Sequence, residues 1–179
     1  MLRRVAALGL AGIPAALAAD RLVALARGGR APEPMRMLVV VDAPVETVWA
    51  AVADVPFQVE WMAEMRGLTL DPPGRAHVGQ RGEATVRILG ISVTDPVEIV
   101  ALDPQRRYAI RHRGLFQGGG VLTLEPGADG TTTILRWDET LVPPILPQLG
   151  ALVQAPILRA IFQADLERLK RLVEDGAVD

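Results

Sequence analysis

No cysteine occurs anywhere in the chain. Disulfides, thiolate nucleophiles, cysteine-held iron–sulfur clusters and cysteine zinc sites are therefore excluded. Serine is almost missing as well: Ser92 stands alone, without a G-x-S-x-G motif or an acid–histidine–serine spacing. The two histidines, His77 and His112, are not at metal-ligand spacing, and neither HExxH nor a carboxylate cluster with ligand spacing occurs. Neither a metal nor a cofactor is called for. A surplus of positive charge is lacking too. Nineteen Lys and Arg face 21 Asp and Glu, and the net charge of −2 offers no footprint for nucleic acid. Aromatic residues make up only 4%, so the position of each one carries weight.

What is present is apolar. Half of the 179 residues are hydrophobic and 22% are charged, which excludes wholesale disorder and suits one compact domain.

The first 26 residues stand apart. Arg3 and Arg4 precede an uncharged run from Val5 to Ala19, followed by Asp20-Arg21 and a second short apolar run to Ala26. A basic start, an apolar stretch and Ala16-Leu17-Ala18 have the layout of a secretory signal peptide, with cleavage near Ala18 or Ala19. Val5 to Ala26 is also long enough for a membrane anchor, although it carries Pro14 in its middle and two charges near one end. The third option is an Ala-rich helix packed on the domain, or an extension. Export or membrane association is the favoured location. Residues 27–34, rich in Gly and Pro, read as a linker to a domain over 35–175.

Within that domain, Met35 to Val41 is a β-branched run of strand length. Asp42, Pro44 and Glu46 mark a helix start, and Val45, Val48, Trp49 and Val52 have helical spacing. A short second helix follows from Phe57 to Met62. The period then changes. Strands are expected over Met65–Leu70 and Gln80–Leu89, then on to Leu102 with a break at Asp95-Pro96. Further strands are expected over Arg107–Arg113, Val121–Glu125 and Thr131–Leu141, with Gly118-Gly119-Gly120 as a bend or bulge. Short connections make this an antiparallel meander within an α+β fold. From Leu149 to Val173 the apolar residues recur at three- and four-residue intervals, including Leu152, Phe162 and Leu166, and predict one amphipathic C-terminal helix.

The unit LVVVDAPVETVWAAVADV with the short helix FQVEWM, and the late strand TTTILRWDETL ending in prolines before the long helix, carry a resemblance. The chain resembles the START-like, or Bet v 1-like, superfamily (SRPBCC), most closely its polyketide cyclase/dehydrase and lipid-transport branch. That resemblance implies a helix-grip fold: a curved seven-stranded antiparallel sheet around a long C-terminal helix, with two short helices after the first strand. It also implies a cavity for lipids, sterols, polyketides or aromatic metabolites, without a transferable catalytic signature.

Several residues would face such a cavity. Leu135, Trp137, Glu139 and Leu141 share one face of the last strand. Glu139 is either a carboxylate in apolar company, fit for acid–base work, or an ordinary carboxylate at the cavity mouth. Tyr108 and His112 share a face about 13 Å apart, too far for a dyad. His112 is either a proton-transfer group or a rim or structural histidine. Trp49, Phe57 and Trp61 form either an aromatic lid or ordinary helix-to-sheet packing. Val86, Ile110, Leu122, Leu135, Trp137, Leu152, Phe162 and Leu166 are the lining candidates. The leading expectation is non-covalent binding or transport of a hydrophobic small molecule. The alternatives are a cyclase/aromatase-like enzyme using Glu139 or His112, and a solid partner-binding domain without a void. Oligomeric state is left open by the sequence.

Overall fold

The computed structural model describes residues 2–88 and 90–177. Eleven elements follow in order: α1 (Leu2–Ala26), β1 (Met35–Val41), α2 (Val45–Ala53), α3 (Gln58–Trp61), β2 (Met65–Asp71), β3 (Arg81–Ile88), β4 (Ile91–Asp103), β5 (Arg107–His112), β6 (Gln117–Pro126), β7 (Thr133–Val142) and α4 (Pro147–Glu174). Leu89, where the sequence reading ended its strand, lies outside the described residues. The strands form one antiparallel sheet of seven in the order β1-β7-β6-β5-β4-β3-β2, wrapped around α4. This is the helix-grip arrangement.

Alternation in β1 explains its place. Met35, Met37, Val39 and Val41 are buried while the residues between them are exposed, as a half-buried strand requires. As an edge strand, β1 also presents unpaired backbone groups, and α4 covers them. The Gln163 side chain brackets Leu38, its Nε2 donating to the carbonyl at 2.9 Å and its Oε1 accepting from the amide at 3.2 Å. Lys170 Nζ donates to the Val40 carbonyl at 2.8 Å.

Four local expectations change. Asp42 does not cap α2, whose N-cap is Pro44 without a side-chain bond. The Asp42 amide instead donates to Glu174 Oε1 at 2.7 Å, tying β1 to the end of α4. Pro96 does not break its strand, and β4 runs through it. The Arg113 amide donates to the Pro96 carbonyl, so the missing proline N–H also points towards β5, just past the end of that strand. Only one terminal ladder bond is lost. The glycine tract is no bulge either: Gly118, Gly119 and Gly120 keep unbroken register with Leu141, Thr140 and Glu139 on β7. Register shifts occur instead between Ile99 and Ala101 and between Met65 and Gly67.

The fourth change concerns α4. Its stripe holds in the second half, where Leu166, Leu169 and Val173 are buried. In the first half the buried residues are Gln148, Ala151 and Leu158, whereas Leu152, Val153 and Ile157 are exposed. The helix begins two residues earlier than the apolar repeat, at Pro147, and there it meets α1 rather than the sheet.

Helix α1 is held to α4 through Asp20. This buried carboxylate accepts from the amides of Gln148 (2.9 Å) and Leu149 (2.8 Å) with one oxygen, Oδ1. It thereby caps a helix whose own N-cap residue, Leu146, lacks a side-chain acceptor. Gln148 Nε2 donates to the Arg30 carbonyl in the connecting stretch. Among the described residues no helix is long and apolar enough to cross a membrane, so the structure lends the anchor reading of Val5 to Ala26 no support. The side chains of residues 2–12, with the basic start of the signal-peptide reading, lie outside the described ones.

Candidate functional site

Between the concave sheet and α4 lies a cavity of about 390 Å³. Its walls are apolar over most of their extent, from the inner faces of β2 to β7, the end of α3 and the middle of α4. Alternation supplies this wall directly: Gly82, Ala84, Val86 and Ile88 on β3 all face it, while Glu83 and Arg87 stay outside. The volume falls in the range of small-molecule sites.

One polar cluster is built into the apolar wall. His112 Nδ1 lies 2.7 Å from Asp95 Oδ2, and its Nε2 lies 3.0 Å from Glu139 Oε1. Glu139 is buried and accepts from Trp137 Nε1 at 2.9 Å with its other oxygen. Burial alone would disfavour the imidazolium, but Glu139 and Asp95 outweigh it and hold His112 above its ordinary pKa.

The glycine tract makes this cluster possible. His112 stands on β5 and Glu139 on β7, with β6 between them. A methyl at Gly120 would collide with Glu139 Oε2 and crowd Trp137 Nε1. Bare backbone at that point lets two side chains meet across an intervening strand.

A second polar group lies where α4 faces α3 and β2. Asp165 is buried, and its Oδ1 accepts from the Ala63 amide at 2.9 Å. Desolvation, together with the adjoining Glu64 carboxyl, pushes Asp165 up to about 7, against the Ala63 amide and Arg168. Tyr108 is also buried in the lining. Burial pushes its phenol up, against a hydrogen bond with Gln58.

The candidates separate into three places. Val86, Tyr108, Ile110, His112, Leu122, Trp137, Glu139 and Phe162 line the cavity. Leu135, Leu166 and Trp61 are fully buried in the core. Trp61 stacks edge-on against Trp137 at 6.0 Å, and Trp137 in turn meets Phe162 at 4.8 Å. Trp49 and Phe57 pack on that core from α2 and the α3 cap rather than over the cavity. Leu152 faces outward from α4. Glu139 is not at an open mouth: it is buried, with His112 and Trp137 engaging its two oxygens.

Sequence reasoning missed Asp95, Asp165, Glu64 and Gln58. Asp165 carried a signal: it lies three residues after Phe162 and one before Leu166, on the stripe that had to be buried. Asp95 was taken as part of a break, which hid its inward alternation with Val93 and Val97.

Residues 35–174 match the model of the family described as polyketide cyclase / dehydrase and lipid transport. The chain belongs to that family. It is thereby a member of the START-like superfamily, and solved structures similar to it agree on the fold. A protein of Deinococcus radiodurans is 21% identical with a TM-score of 0.61, covering 81% of this chain and 99% of its own. A START superfamily protein of Mycobacterium smegmatis is 17% identical with a TM-score of 0.55, over 80% and 96%. A putative protein of the dynemicin biosynthetic locus is 25% identical with a TM-score of 0.58, covering 81% of this chain but 48% of its own. No curated protein matches the sequence.

Proposed function

We propose that this family member binds a hydrophobic small molecule, lipid-like or polyketide-like, non-covalently in the cavity beneath α4. The observation that carries this reading is an apolar void of about 390 Å³ beside a polar cluster in which His112 is bonded to both Asp95 and Glu139. Burying apolar ligand surface there contributes roughly 25 cal/mol per Å² before ordering costs.

The same cluster argues against the cyclase-like alternative. A general base needs an available lone pair within reach of the proton it removes. Both ring nitrogens of His112 are engaged by carboxylates, and both oxygens of Glu139 by donors. The set is a brace across three strands, fixing the wall against which the ligand lies.

Native mass spectrometry of the full chain from its natural type of host tests the reading. A releasable adduct of a few hundred daltons, lost in a Val86→Phe variant that fills the cavity yet keeps the wild-type melting temperature, is the expected result. Absence of any adduct, together with failure to take up the neutral probe Nile red, overturns it.

A further inference from the structure

The cavity lining has a one-sided electrostatic character. Among the described residues it includes four carboxyl groups, Glu64, Asp95, Glu139 and Asp165, and one imidazole, with neither lysine nor arginine. Each side-chain nitrogen in it already makes a bond within the protein, and the Tyr108 hydroxyl is the one lining donor outside that set. Gln58 Nε2 donates to the Val52 carbonyl (3.0 Å), Gln80 Nε2 to Pro72 (2.7 Å) and Gln154 Nε2 to Leu141 (2.6 Å). Trp137 Nε1 and both nitrogens of His112 are held by carboxylates. Every side-chain nitrogen in the wall is thus bonded within the protein.

Two acceptors in the lining are left over: Asp95 Oδ1, beside the His112 pair, and Asp165 Oδ2, which has a second carboxyl next to it. Asp165 is 2% exposed, and its Oδ2 is buried without a hydrogen-bond partner, while only Oδ1 meets the Ala63 amide. A buried acceptor without a donor is costly, and a ligand that supplies the donor recovers that cost. The neighbouring Glu64 carboxyl adds acceptor capacity at the same place. Arg168, the cation that acts on Asp165, is exposed and stands outside the lining.

Resting on the binding function proposed above, we infer that the cavity selects amphiphiles whose polar group donates hydrogen bonds and carries no negative charge, a protonated amine foremost, with that group at Asp165 and Glu64. A carboxylate or phosphate head would be desolvated among like charges, with neither lysine nor arginine in the lining to pair with it. A hydroxyl can donate to Asp165 Oδ2. An ammonium does so with charge complementarity, which makes its hydrogen bonds the stronger ones.

Displacement of Nile red from the full chain by decylamine, decanol and decanoate at pH 7.5 tests this with chain length held constant. The expected order is amine, then alcohol, then carboxylate, with decanoate at least tenfold weaker than decanol. Glu64→Gln combined with Asp165→Asn is expected to abolish the advantage of the amine over the alcohol. Decanoate equal to or tighter than decanol overturns the inference, and so does bound Nile red that yields to neither amine nor alcohol. An amine weaker than the alcohol, or a ranking unmoved by the double variant, removes the assignment to Asp165 and Glu64. Failure of Nile red itself to bind is a different result, which counts against the binding function.

Discussion

His112 on β5 and Glu139 on β7 hydrogen-bond at 3.0 Å although a whole strand separates them and they stand 27 positions apart in the chain. The contact exists because Gly120 leaves the intervening backbone bare.

Gly120→Ala should therefore displace the Glu139 carboxylate and strand two buried donors. A loss of about 2 kcal/mol in urea unfolding is expected. Gly67→Ala serves as the control, since nothing lies within 4 Å of a methyl at that position and its φ is not positive. Equal effects of the two substitutions would show that the brace contributes nothing.

Stability should fall as pH rises from acid to neutral. Asp165 binds its proton more tightly folded, at about 7, than its ordinary 3.8. Its contribution is full below the lower value and is lost as pH rises through the upper one. His112, also raised, extends the decline above its ordinary 6.5. In Asp165→Asn the slope between pH 4 and 7 should flatten, and the variant should exceed wild type at pH 8 by about 1 kcal/mol. Melting temperatures across pH check both statements, and an unchanged slope would remove Asp165 as the source.

Asp20→Ala should cost about 1 kcal/mol, the usual worth of a helix cap, because it strips two amides at the start of α4 of their acceptor. Arg21→Ala, on the neighbouring exposed position, should be near neutral. Unfolding curves of the two variants decide whether α1 is part of the folded unit.

Phe162→Ala should enlarge the cavity and remove the ring stacked on Trp137 at 4.8 Å. A loss of about 2 kcal/mol is expected, smaller than for a fully enclosed ring because one side of Phe162 already borders void. The fluorescence of Trp137 should shift on the same substitution, and an unaltered spectrum would place the two rings apart in solution.

Periodicity made most of the fold legible. The strict alternation of β1 and of Leu135, Trp137, Glu139 and Leu141 on β7 names the inner face without coordinates. Local punctuation misled where long-range context prevailed. Pro96 reads as a break because proline cannot donate, yet its vacant donor site falls where β5 has already ended. Three glycines read as a bend because glycine permits one, but here Gly120 clears space for the side chains of Glu139 and Trp137, and Gly118 and Gly119 for neighbouring backbone. No pattern within one element signals a bond between β5 and β7, since it depends on the order of strands in the sheet. Asp165 escaped because the helical stripe was counted in apolar residues alone.

The grip of Gln163 on Leu38 gives ligand exchange a further cost. Helix α4 roofs the cavity and also shields the free edge of β1, so lifting its middle to admit a guest unmasks that edge. A second molecule meeting an opened copy would find a strand ready to pair. Loading by that route and self-association would draw on one motion and compete with each other.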